Sequence, residues 1–242
     1  MVKQYPIQSD KKNEVRAMFN NIARSYDFLN HFLSFGIDVL WRKRLIREIT
    51  SYSPEVLLDM ATGTGDLAIM GIKTGAQKIV GIDLASEMIA VGKQKVIKKN
   101  LEERIELLVG DAEQINFDSN TFDAAMVAFG VRNFENLEKG LTEIGRVLKN
   151  DQPLFVLEFS KPKVFPIKQL YHFYSFTLIP LIGQLISKDK NAYHYLPESI
   201  KAFPHGKSFI HVFEKCGFVN CSYISLSFGI ATIYIGHKQA IV

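Results

Sequence analysis

The 242-residue sequence predicts a single α/β domain: a mostly parallel sheet with helices on both faces, an N-terminal helical cap and a C-terminal antiparallel hairpin. Three observations carry that prediction. Between Val56 and Phe159, short apolar runs alternate with helix-patterned stretches. The first run, Val56-Leu57-Leu58-Asp59, passes into Met60-Ala61-Thr62-Gly63-Thr64-Gly65-Asp66, a turn with glycines between carboxylates. The last stretch, Phe218 to Gly236, alternates apolar and small polar residues around Phe228-Gly229, as two antiparallel strands would.

Composition bounds the rest. At 47% hydrophobic the chain can bury a sizeable core, and no Pro/Gly/Ser-rich linker or repeat divides residues 1–242. A formal charge of +4 is too mild to argue for nucleic acid. The polar start, Met1-Val2-Lys3-Gln4-Tyr5-Pro6, does not read as a signal peptide. Cys216 and Cys221 are the only cysteines, so neither a disulfide framework nor a metal site is expected, and a cytoplasmic setting is.

In chain order, residues 1–52 read as the cap. Asn13 to Tyr26 places Val15, Met18, Phe19, Ile22 and Tyr26 at helical spacing. Phe28 to Phe35 and Asp38 to Ile49 continue it, with Gly36 as a break. Arg42, Lys43, Arg44 and Arg47 give the third helix a basic face, suited to water or to anionic lipid heads, while Trp41 reads as packing. Residues 53–160 form the core. Its strands are expected at Val56 to Asp59, Lys78 to Asp83, Ile105 to Val109, Phe122 to Ala128 and Leu154 to Phe159. Its helices are expected at Asp66 to Lys73, Ser86 to Lys99 and Leu137 to Lys149. Residues 161–217 read as an apolar lid. Their greasy part, Leu170 to Ile186, contains His172, Pro180 and Gln184, and its apolar runs fall short of the ~20 residues of a membrane span. Residues 218–242 close the sheet.

The glycine turn is where a ligand is expected. Gly63 and Gly65 allow backbone angles closed to other residues and let a ligand lie on bare main chain. Gly63, Gly65 and Ala68 also match a dinucleotide fingerprint, which leaves an NAD-dependent oxidoreductase open. The charges point elsewhere. Asp59, Asp83 and Asp111 end successive strands. Capping a helix would explain any one of them. Three together suit a cation with hydroxyl and amine donors, such as S-adenosyl-L-methionine, rather than a pyrophosphate. Asp83 stands where an acid gripping ribose hydroxyls is expected. A hairpin ending, in place of a repeated βαβ half, further favours a class I methyltransferase sheet.

The residues also resemble the ubiquinone/menaquinone biosynthesis C-methyltransferase family over nearly the whole length. The likeness runs through Val15-Arg16-Ala17-Met18-Phe19, Ile22 to Asn30, Ser34-Phe35-Gly36, Trp41-Arg42 and the glycine turn. It continues through Phe129-Gly130-Val131-Arg132-Asn133, Leu157 to Pro162, Tyr195 to Ile200 and Phe203-Pro204. The resemblance implies S-adenosylmethionine as cofactor and an isoprenoid quinol as substrate, methylated at a ring carbon. Demethylmenaquinol is favoured, with the benzoquinol of ubiquinone synthesis as the alternative. It implies that Thr64 meets the methionine part, Asp83 the ribose, and Asp111 with Ala112 the adenine, with Met88 on the adenine face. Arg132 is expected to stabilise a phenolate oxygen and Asn133 to hydrogen-bond the other quinol oxygen. The base stays open among Tyr26, His172, Tyr193, His194, Tyr195, His205 and a water held by Arg132. The cap and the greasy segment would cover the ring and guide the tail. Peripheral contact with the inner face of the membrane follows from such a substrate, and a homodimer is left open. An RNA methyltransferase would need a basic module that the sequence lacks. A non-catalytic member of a quinone-synthesis assembly is separable only by assay.

Overall fold

The computed structural model describes residues 11–174 and 190–240, without the side chains of 190–194. The expectations placed on Tyr193, His194 and residues 175–186 lie outside the described residues or side chains. Seven strands form one sheet: β1 (Val56–Met60), β2 (Lys78–Asp83), β3 (Ile105–Val109), β4 (Ala124–Ala128), β5 (Pro153–Phe159), β6 (Phe218–Leu226) and β7 (Ala231–Lys238). Their order is β3-β2-β1-β4-β5-β7-β6, with β1 to β5 parallel and β7 antiparallel to both neighbours.

The helices are α1 (Lys11–Ile22), α2 (Tyr26–Leu33), α3 (Ile37–Thr50), α4 (Asp66–Gly71), α5 (Ser86–Lys98), α6 (Leu137–Val147), α7 (Ile167–Phe173), α8 (Lys190–Ala202) and α9 (Lys207–Lys215). Successive strand residues point to opposite faces. Leu57, Ile79, Ala124 and Met126 pack under Leu45 and Ile49 of α3, Leu67 of α4 and Ile89 of α5. Leu58, Val80, Ala125 and Val127 pack under Leu141 and Ile144 of α6 and Phe209 and Phe213 of α9. A sheet covered on both faces makes its inner strands read as continuous apolar runs.

Three departures from the sequence expectations have local causes. The helix expected from Asn13 to Tyr26 breaks after Ile22, where Ser25 N–H and Oγ both turn back to the Ile22 carbonyl, and Tyr26 opens α2 instead. Strand β4 starts at Ala124, because Phe122 makes only an isolated bridge to Leu148. Within 161–217, α9 is not a cover over the site: Phe209 and Phe213 are fully buried against Tyr234 and Phe218 of the sheet. By contrast α7 buries no residue.

Candidate active site

The strand ends of β1, β2 and β3 and the loop after β4 converge under α1. Gly63 and Gly65 adopt φ of 58° and 77°, the left-handed region, so the turn needs glycine at both. Behind the turn, a Cβ on Gly92 of α5 would come within 2.7 Å of Leu107 and 3.1 Å of the Thr64 carbonyl, so glycine there lets α5 close on the loop. Asp83 is tied across the mouth. Its Oδ2 accepts the Gly63 N–H and its Oδ1 the Ala85 N–H, each at 2.8 Å, and burial raises its pKa. Asp111 accepts the Glu113 N–H at 2.9 Å and the Lys12 ammonium at 2.7 Å. Lys12 also lies 3.3 Å from Glu113, and neighbouring Lys11 donates to the Phe134 carbonyl at 2.6 Å. These two lysines fasten α1 over the cleft.

Gly63, Asp83, Met88, Asp111, Ala112 and Asn133 all line this cleft, a cavity of about 90 Å³ beside Phe19, Tyr26 and Phe129. Thr64 and Gly65 do not line it. Thr64 is buried, and its Oγ1 donates to Asp27 at 2.5 Å while accepting from Lys95 at 3.1 Å. Lys95 also donates to Asp27 at 2.8 Å and to Asp66. Asp59 does not line the cleft either. One residue of strand parity turns it inward toward the α3 side, where Thr62 Oγ1 donates to it and burial pushes its pKa up to about 7. Two of the three strand-end acids therefore face the cleft and the third is buried in the interior.

A second cavity of about 420 Å³ lies beyond, under α2, α3, α7 and α8. Leu29, Leu33, Trp41, Phe159, Leu170, Tyr174 and Ile200 make it apolar, and it shares Phe19, Tyr26 and Phe129 with the cleft. Arg132 lines this cavity while adjacent Asn133 lines the cleft, so the pair straddles the divide. Arg132 is buried against Glu158, with Nη1 2.9 and 3.1 Å from the two carboxylate oxygens, and it also bonds the Phe129 carbonyl. Its Nε is buried without a partner. Asn133 Oδ1 accepts from the Tyr195 hydroxyl at 3.0 Å. Burial raises the pKa of both Tyr26 and Tyr195, which makes them donors rather than bases at neutral pH. His172 and His205 line neither cavity.

Several residues of this region carried no sequence-based assignment. Glu158 was visible as a lone acid inside the apolar strand Pro153–Phe159, a placement that calls for a buried partner. Asp27, Lys95 and Lys12 gave no signal, since their partners lie far away in the chain. The basic face of α3 needs correction. Arg42 is only 9% exposed and turns inward, 3.7 Å from Asp38 and 3.6 Å from Asp66, while Lys43 and Arg47 are exposed and Arg44 is half-buried.

A parallel sheet ending in an antiparallel hairpin of order 3-2-1-4-5-7-6, with a glycine turn and acids at its strand tips, is the class I methyltransferase fold. The profile of the ubiE/COQ5 methyltransferase family matches residues 7–238. The chain belongs to that family. It is 44% identical over 238 residues to a demethylmenaquinone methyltransferase of Bacteroides fragilis, covering 98% of this chain and 97% of that one. It is 41% identical over 232 residues to a ubiquinone/menaquinone biosynthesis C-methyltransferase UbiE of Geotalea uraniireducens, covering 95% and 98%. Among solved structures it is similar to the [4+2]-cyclase SpnF, with a TM-score of 0.70 at 14% identity over 98% of both chains, a likeness of fold alone.

Proposed function

We propose that the chain methylates a ring carbon of demethylmenaquinol, with S-adenosylmethionine in the small cleft and the quinol in the large apolar cavity. The observation that carries this is the common wall. Tyr26 and Phe129 border both cavities, and Arg132 and Asn133 face one each. A donor methyl and a ring carbon can meet only at such a boundary. Demethylmenaquinol is favoured because the Bacteroides fragilis relative is a demethylmenaquinone methyltransferase. The UbiE relative keeps the benzoquinol of ubiquinone synthesis as the second substrate to test.

The donor supplies an electrophilic methyl group. Gly63, Asp83, Asp111 and Ala112 would hold its adenosine, with Asp83 on the diol. Thr64 and Gly65 would shape the turn from behind. The cleft fits this ligand, since Asp83 and Asp111 present acceptors there. The chain's task is to make a ring carbon nucleophilic and to aim it. Arg132 carries a compensating Glu158, so it adds little net positive charge; its unpartnered Nε is the donor free to hold a quinol oxygen. Asn133, fixed by Tyr195, would hold the ring from the cleft side. Positioning of this kind can be worth about 7–11 kcal/mol. After methylation the ring proton would leave to a water at the Arg132 edge.

Phe35 and Leu170 of the cavity lining are exposed, and so, on α7 and the segment leading into it, are Phe165, Phe173, Lys163 and Lys168. Peripheral contact with an anionic bilayer would let a tailed quinol enter there. No helix among the described residues is long and apolar enough to cross a membrane.

The test is transfer of a labelled methyl from S-adenosylmethionine to demethylated naphthoquinone and benzoquinone, each reduced and oxidised. Reduced naphthoquinol should be the best acceptor, and the oxidised forms inert. Preference for an acceptor without a quinol ring would overturn the proposal.

A further inference from the structure

We infer that Arg42 of α3 receives the carboxylate of the methyl donor's methionine end, a role resting on the S-adenosylmethionine reading above. Arg42 is buried, yet no hydrogen bond reaches its guanidinium from any described residue, and its Nε is buried without a partner. Its nearest carboxylates, Asp66 at 3.6 Å and Asp38 at 3.7 Å, stand beyond hydrogen-bonding distance. Both are committed elsewhere. Asp38 accepts from Ser34 at 2.6 Å and contacts His31 at 3.0 Å, and Asp66 accepts from Lys95.

A guanidinium keeps its charge in any protein and offers five N–H donors. Nε alone is closed off without a partner, a costly arrangement, and the rest of the guanidinium opens on the large cavity, where an anion from outside the chain can reach it. Arg42 lines the large cavity, not the small cleft, but at the wall between them: its guanidinium carbon lies 5.9 Å from the centroid of Phe129, the ring shared by both, and it reaches Asp66 at the end of the glycine turn, so the donor's methionine end would cross that wall to meet it.

Of the other cations around the site, exposed Arg16 lines the small cleft in contact with water and Arg132 keeps one free Nε, while the rest are held by acids. Lys12 is held by Asp111 and Glu113, Lys95 by Asp27, Asp66 and Thr64, and Arg132 by Glu158. The donor has one carboxylate, and the acids of the cleft cannot receive it. Arg42 is the buried cation whose whole guanidinium makes no hydrogen bond to a described residue, and a bidentate fork suits a carboxylate.

The experiment compares two ligands by calorimetry on the full chain. S-adenosylhomocysteine carries the amino-acid end, and 5′-methylthioadenosine keeps the adenosine and the thioether without it. Arg42→Met should weaken S-adenosylhomocysteine by about 10- to 100-fold, the range of a lost charged hydrogen bond, and leave methylthioadenosine unchanged. Arg42→Lys, which keeps charge and most of the volume, should show a smaller loss confined to S-adenosylhomocysteine; it decides the matter if the methionine variant does not fold. Equal losses for both ligands, or no loss for S-adenosylhomocysteine, would overturn the role of Arg42 alone. Wild-type protein that binds neither ligand would instead overturn the donor reading beneath it.

Discussion

Asp59 and Glu158 show what burial does to a single carboxylate. Among the described residues Asp59 has no ion-pair partner, and burial outweighs the more distant charge of Arg42 to raise its pKa to about 7. The folded state therefore holds a proton that the unfolded chain, titrating near 3.8, gives up. Stability from this group is full below the unfolded value and is lost as pH rises through about 7. Asp59→Asn should flatten that dependence and raise stability at pH 8 by roughly 2 kcal/mol, read from urea melts at pH 5 and 8. Glu158 also has a raised pKa, from burial, but Arg132 opposes the shift. Glu158→Gln leaves a cation buried without its counterion and should cost about 3–5 kcal/mol. Replacing both, Arg132→Met with Glu158→Leu, should recover most of that stability without recovering methyl transfer. Recovery of activity in the double variant would remove Arg132 from the mechanism. The acids at the sheet tips were legible in the sequence because strands end where apolar runs stop. Which of them faces the ligand was not, because one residue of parity decides it, and Asp59 falls on the wrong side.

At the scale of elements, the core strands were legible almost to the residue because both of their faces are covered and their runs are uninterrupted. The cap was less so. No glycine or proline marks the break between α1 and α2; Ser25 makes it through hydrogen bonds to Ile22. The ties that hold the cap down were invisible, since Lys12 meets Asp111 and Lys95 meets Asp27 across 99 and 68 positions. Arg42 looked like part of a solvated stripe because helical spacing alone does not say how α3 is rotated. Lys12→Ala should loosen α1 over the cleft. Its partly exposed bridge contributes little to stability, under about 1 kcal/mol. The change should appear instead as faster release of S-adenosylhomocysteine in stopped-flow measurements, and as a weaker dependence of that release on salt.

For the whole molecule, one end of the sheet gathers the cleft, the large cavity and the exposed apolar rim. Val164 and Phe165 are 57% and 78% exposed and line neither cavity. Val164→Glu with Phe165→Glu should reduce co-sedimentation with anionic vesicles and slow methylation of a long-tailed quinol embedded in them. Turnover of a short-tailed quinol in solution should not change. Equal slowing of both substrates would mean that the loop acts on the chemistry rather than on the bilayer.

Tyr26 and Phe129 wall both cavities; with donor and acceptor placed as proposed, neither ligand could settle without setting half of its companion's berth. Affinities must then be linked, and linkage is reciprocal: whatever factor the quinone brings to the nucleoside's binding, the nucleoside returns. Where that factor exceeds one, the ternary complex is favoured over either half-filled state, and reactive sulfonium seldom stands exposed to water with no carbon to receive its methyl.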